Sequence, residues 1–379
     1  MSKSKKSSEE SQDTPVVESE PTATSTATET PSEESFTVET KREDGVLYLG
    51  IDLGTSRTSV TASNGVRETV ASFVGYPKDV VARKLLKTDV LFGDDAVKHR
   101  LSLDFYRPLE HGVIKDGEAD KNIKAARDLI GEIIRKAKPR KDELVYAVIG
   151  APAQASIHNK DAIIQAARET VDSVMLCSEP FSVAYGLDML DDVLVIDIGA
   201  GTTDLCRMHG TMPEESDQIT ITYAGDWIDN QLAENLSDAF PEAQHTIQMV
   251  KRIKERHASV ADQTEPAKVE LPVNGKPTEF DVTDQLRSAC QGIVGPIVEG
   301  LSQLISTFDP EFQERLKERV LLAGGGSQIR GLDTAIEHEM HKRLGSGKVL
   351  RIEEPVYGGA NGALKIAHDM PADYWEKLK

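Results

Sequence analysis

Short apolar runs of four to seven residues recur along the chain, at Val46–Ile51, Leu144–Gly150, Val193–Ile196 and Val320–Ala323. Such runs are what buried strands look like, and the first closes on a glycine-containing turn. Between them the apolar period lengthens to that of a helix. The segment Asp120–Lys136 places Ile123, Ala126, Ile130, Ile133 and Ile134 on one face, and Asp161–Val171 is a second amphipathic helix. Ile228, Leu232 and Leu236 mark a third, with Asp226 placed to cap it. A longer apolar helix or helix pair is expected over Asp284–Phe308, kinked or divided by Pro296. Strands alternating with helices predict an α/β architecture.

One internal repeat stands out. Ile51 to Val60 (IDLGTSRTSV) aligns without gaps to Ile196 to Leu205 (IDIGAGTTDL), an offset of 145 residues. Each copy reads as a strand, an Asp-apolar-Gly step, a small polar turn and a second strand. Two like domains facing each other would set these hairpins on opposite walls of one cleft.

Composition narrows the partners. Formal net charge is −19 and three cysteines are present, Cys177, Cys206 and Cys290, with no metal-ligand spacing. A chain this acidic has no general basic surface for nucleic acid or anionic membrane. The cysteines fit a reducing cytosol and no disulfide framework. The N-terminus lacks the apolar stretch of a secretory signal, and no run of about 18 apolar residues spans a bilayer. Residues 1–44 are rich in Ser, Thr, Glu and Pro and are expected to form a disordered acidic tail. The histidines, among them His99, His111 and His158, form no metal-spaced set and are expected at the surface.

Any bound phosphate must therefore be held locally. A hairpin tip of small residues exposes successive backbone N–H groups that can surround phosphate oxygens. Gly54, Thr55 and Ser56 would do so in the first copy, and Gly199, Gly201 and Thr202 in the second. A carboxylate just before each tip, Asp52 and Asp197, is placed to hold Mg²⁺, which takes a few carboxylates together with waters and phosphate oxygens. A third element, Gly324-Gly325-Gly326-Ser327, follows an apolar strand and precedes a helix starting near Leu332. Three glycines are costly to order and allow a flat or bulky group to approach the backbone.

These elements, in this order, resemble the superfamily of actin, sugar kinases and heat-shock-chaperone ATPases. The two hairpins match its two phosphate motifs and the glycine turn its adenosine motif. Ser178–Leu187 and Gly358–Ala363 look like its two connecting helices. The resemblance implies two similar ribonuclease-H-like α/β domains around a nucleotide cleft, each with a small inserted subdomain. On that pattern the domains are 45–190 and 191–354, with 355–379 returning to the first. It implies ATP or ADP with Mg²⁺ in the cleft, Glu179 as the group that orients or deprotonates the attacking water, and Thr202 assisting. Lys254 matches a cation near the sugar. Lys251 stands where the family often has a glutamate, which leaves Glu255 to substitute. Gly324, Gly325, Gly326 and Ser327 would meet the base and its sugar.

Chain length leaves little room for a sugar-kinase insert or a chaperone substrate domain, and suits a polymerising bacterial actin. Tyr76-Pro77-Lys78-Asp79, Pro108–Val113 and the ending Pro371–Trp375 are similar to the magnetosome-organising bacterial actins, with the rod-shape actins near relatives. The resemblance implies cytoplasmic filaments of the chain itself that position magnetosomes through adaptor proteins on their membranes. A rod-shape actin, a non-polymerising kinase and a nucleotide-binding switch remain the alternatives.

Overall fold

A computed structural model describes residues 45–115, 119–262 and 265–378, so the acidic segment 1–44 lies outside the described residues. Two five-stranded sheets carry the architecture. In sheet I, Val46–Leu53 pairs antiparallel with Arg57–Ala62, which pairs antiparallel with Arg67–Ala71. On its other side Val46–Leu53 runs parallel to Leu144–Ala151, and that strand parallel to Ser173–Ser178. Sheet II repeats the order: Val193–Ile198 pairs antiparallel with Thr203–Met208 and that with Gln218–Ile221, while Val320–Ala323 and Val349–Arg351 add in parallel.

The register is equivalent as well. Asp52 sits opposite Ser59 and Leu53 opposite Thr58; Asp197 sits opposite Asp204 and Ile198 opposite Thr203. The parallel neighbours agree, with Ile51 beside Ile149 and Ile196 beside Leu322. The sequence repeat is thus a repeat of structure, extended to strands that show no sequence likeness.

Both faces of each sheet are buried, which is why the central strands read as continuous apolar runs. Leu47, Leu49, Ile51 and Leu53 point into one core with the helix Ala119–Lys136, and Leu194, Ile196 and Ile198 into another with Val294–Ser306. The opposite faces, through Tyr48, Val148, Val193 and Val195, share a third core with Phe181, Ala363 and Trp375. That middle layer holds two helices, Glu179–Gly186 and Gly358–Asp369. They cross at Gly362, where a Cβ would collide with the Ser182 carbonyl, so only glycine permits this approach.

Three helix expectations need correction. The helix expected at Asp161 begins at Ile157, because Ser156 accepts from the Asn159 N–H at 3.2 Å and caps it, and it ends at Ala167. The helix Gly225–Ala239 is entered from Ala224, and the Asp226 side chain is drawn to Arg107 rather than capping. The third concerns only the place of division: the helix pair expected over 284–308 forms, as Thr283–Gln291 and Val294–Ser306, but it parts at Gly292 rather than at Pro296. Pro296 lies in the first turn of the second, where its missing N–H has no intrahelical partner to lose. A three-stranded sheet of Val74–Pro77, Leu91–Phe92 and Leu103–Tyr106 inserts into the first half, and the hairpin Lys268–Val273 and Lys276–Asp281 into the second.

Candidate functional site

The two hairpin tips line one cleft of about 520 Å³. The first tip is fixed from behind. Ser72 donates from its hydroxyl to the Gly54 carbonyl at 2.6 Å and from its N–H to the Ser56 carbonyl at 2.9 Å. Thr55 is buried and its hydroxyl accepts from the Gly112 N–H at 2.7 Å. In the second tip the Gly199 N–H donates to the Thr202 carbonyl at 2.9 Å. The first N–H groups of the helix Gly225–Ala239 donate to the Gly199 and Ala200 carbonyls, at 3.1 and 2.7 Å. His111 is exposed as expected, yet its Nδ1 lies 2.9 Å from the Gly201 carbonyl and ties the two tips together.

Four carboxylates gather beneath the tips. Glu179 opens its helix, is 8% exposed, and feels the charges of Asp204, Asp52 and Asp197. Burial, then this mutual repulsion, holds Glu179 and Asp197 well above the usual carboxylate range. Burial pushes Asp52 up to about 6. Asp204 is raised by burial too, although it accepts from the Thr220 hydroxyl at 2.6 Å and the Ala153 N–H at 3.0 Å. Thr202 is buried beside it and also donates to it. Such a set gains from a cation that cancels the repulsion, and Asp52 and Asp197, which line the cleft, could hold one. Among the described residues no three His, Cys, Asp or Glu side chains form a protein-only metal cage. Two carboxylates completed by phosphate and water fit Mg²⁺ better than Zn²⁺.

The remaining walls come from the second half. Lys254 donates to the Gly225 carbonyl at 2.5 Å and pairs with Asp229 at 2.9 Å; Glu255 follows it on the cleft wall. Lys251 reaches across the cleft and donates to the Ser56 hydroxyl. Its ammonium is held below the ordinary lysine value, chiefly by burial. A second bridge runs beside it: Arg107 donates to both carboxylate oxygens of Asp226, at 2.9 and 2.7 Å, and to the Thr55 carbonyl at 3.1 Å.

Gly324, Gly325 and Gly326 line the far end. Gly324 has φ +74°, and a Cβ there would strike the Asp197 carboxylate and the Ile198 carbonyl. Ser327 is the one sequence-selected site residue that does not line the cleft. It is 1% exposed and its hydroxyl donates to the Gly324 carbonyl at 2.7 Å, so it shapes the turn from inside. Sequence reasoning did not select Arg107, Asp204 or Asp226 for the site. Lys251 was visible only as a departure from the family's glutamate. The one signal for Asp204 was its place in the repeat, aligned with the strand-facing Ser59.

Comparison with known proteins agrees with this geometry. The profile of the MreB/Mbl protein family matches residues 47–372. The actin-like protein MamK of Paramagnetospirillum magneticum is 39% identical over 332 residues, covering 88% of this chain and 95% of that one. Among solved structures, a MamK double helical filament superposes with a TM-score of 0.83 at 39% identity, covering 86% of this chain and 99% of that one. A non-polymerising MamK mutant bound to AMPPNP gives 0.66 at 38% identity, with coverage of 86% and 99%. With the fold, the doubled hairpin and a family match over nearly all of the described residues in agreement, the chain belongs to the MreB/Mbl family of actin-like proteins.

Proposed function

We propose that the chain is a filament-forming bacterial actin that binds Mg-ATP in this cleft, hydrolyses it, and serves as a cytoplasmic track for positioning magnetosomes. The observation that carries the nucleotide assignment is the pair of register-equivalent hairpin tips on one cleft, each preceded by a carboxylate. The likeness to MamK over most of both chains supports assembly and cargo. Among the described residues no helix is long and apolar enough to cross a membrane, so attachment to a magnetosome would run through adaptor proteins.

In this proposal the tip N–H groups of Gly54, Thr55, Ser56, Gly199, Gly201 and Thr202 hold the phosphates. Asp52 and Asp197 hold Mg²⁺, which would neutralise charge developing on the transferred phosphoryl group. Lys254 and Glu255 face the sugar, and Lys251 adds a positive charge beside the first tip. Gly324, Gly325 and Gly326 admit the base. Glu179, with its proton affinity raised by its surroundings, accepts a proton from the attacking water while Thr202 orients that water.

Glu179→Ala tests the assignment. The variant should sediment with Mg-ATP as the parent does, release phosphate about a hundredfold or more slowly, and leave persistent filaments. Phosphate release at the parental rate would remove Glu179 from the mechanism. Transfer of phosphate to a small hydroxylated acceptor, with no filaments by electron microscopy, would turn the assignment to a kinase.

A further inference from the structure

We infer that Arg107 and Asp226 are a pair of positioning residues that hold the two hairpin tips at one spacing across the cleft, so that both can meet the phosphates of one nucleotide; the inference rests on the Mg-ATP assignment above. Arg107 follows the insert strand Leu103–Tyr106 and stands outside the cleft lining, on the carbonyl side of the first tip. One edge of its guanidinium is fully used. Nε donates to the Thr55 carbonyl at 3.1 Å, and Nη2 donates to both carboxylate oxygens of Asp226, at 2.9 and 2.7 Å. The planar fork of an arginine reaches both partners at once, which the point charge of a lysine would not.

Both ends of the pair are attached to a tip. A trans peptide points its carbonyl and its N–H in opposite directions. An arginine that holds the Thr55 carbonyl therefore also sets the Ser56 N–H. At the second tip the Asp226 N–H donates to the Ala200 carbonyl at 2.7 Å, and by the same geometry sets the Gly201 N–H. Ser56 and Gly201 both line the cleft. Asp226 thus holds the second tip with its backbone and, through Arg107, the first with its side chain. The peptide that carries the Asp226 N–H is itself fixed, because Lys254 donates to the Gly225 carbonyl at 2.5 Å and pairs with the buried Asp229 at 2.9 Å.

The pair differs from an ordinary surface contact. Its side chains are 33% and 29% exposed, so solvent screens it less than a pair in open water. Lys251 and His111 cross the cleft as well, but each through a single hydrogen bond. Lys251 also lies near enough to repel Arg107, and Asp226 offsets both cations. Without the Asp226 carboxylate the guanidinium and the ammonium would push apart beside the first tip. Ser72 fixes that tip only within its own half. The tip would then shift relative to the second, which stays on its helix, and the phosphates would meet one set of N–H groups at a time.

The test compares the full-length parent with Arg107→Gln, Asp226→Asn and the two combined, in Mg-ATP, with phosphate release counted per sedimented chain. Asparagine at 226 keeps the backbone bond to Ala200 and removes only the charge. Each single change should lower kcat about tenfold to a hundredfold while KM for ATP rises about threefold at most. The combined variant should be no slower than the slower single, because the pair acts as one unit. Asp226→Glu keeps the charge and should stay within about threefold of the parental kcat. Losses that multiply in the combined variant, a change confined to KM, or parental kcat in either single overturn the positioning role. So does a loss in Asp226→Glu as deep as in Asp226→Asn. A parent chain that binds no fluorescent ATP analogue, or releases no phosphate, overturns the Mg-ATP assignment and this inference with it.

Discussion

Asp52→Asn should make the nucleotide-free protein more stable while destroying its response to Mg-ATP. Burial in the folded cleft raises the Asp52 carboxyl from 3.8 to about 6. The folded state therefore binds this proton more tightly than the unfolded state does. Stability from this group is complete below the unfolded value and is lost as pH rises through the folded one. A displacement of about 2 pH units, at about 1.36 kcal/mol each, amounts to about 3 kcal/mol lost by neutral pH. Asparagine has the same shape without the charge, so the variant escapes that loss. Urea unfolding of both proteins, without nucleotide, should show the variant ahead by about 2–3 kcal/mol near pH 7.5 and nearly level near pH 4. Removing the Asp52 charge also relieves Glu179 and Asp197, whose carboxyls it helps to hold up, and that relief adds to the advantage of the variant in the same direction. Mg-ATP should then raise the stability of the parent by mass action and leave the variant unmoved. A variant less stable than the parent at neutral pH, or a difference constant with pH, would refute the electrostatic account of this site.

Two further outcomes follow from the geometry. Lys251→Ala removes the cation that bridges to Ser56 and should weaken ATP binding about tenfold to a hundredfold, read by titration with a fluorescent analogue; an unchanged Kd would confine Lys251 to a structural bridge. Gly362→Ala forces a methyl group into the Ser182 carbonyl at the crossing of the two middle-layer helices, and should cost about 1–3 kcal/mol in urea unfolding, where an Ala tolerated without loss would mean the helices part freely.

The sequence alone determined the α/β alternation, the position of the central strands and the doubled hairpin. These depend on local period, on an Asp-Gly turn and on self-likeness, all of which are properties of neighbouring residues. Asp52 and Asp197 could be paired because the repeat gave them the same place in two copies. Glu179 needed the resemblance as well, since a glutamate opening a helix is also what simple helix electrostatics would select. Only the tertiary structure decided how the two halves meet. Lys251 finds Ser56 across 195 residues of chain, and Arg107 finds Asp226 across 119. Neither pair carries a local pattern, because the partner is set by how one half packs on the other. Asp226 reads as a helix cap until Arg107 is brought beside it. Ser327 reads as a ligand contact until the turn folds its hydroxyl back onto Gly324. The same holds for the exposed face of Val80–Leu86. That short helix was not among the sequence expectations; it buries Ala82 and leaves Val80 and Val81 exposed, a division that only the packing of the insert decides.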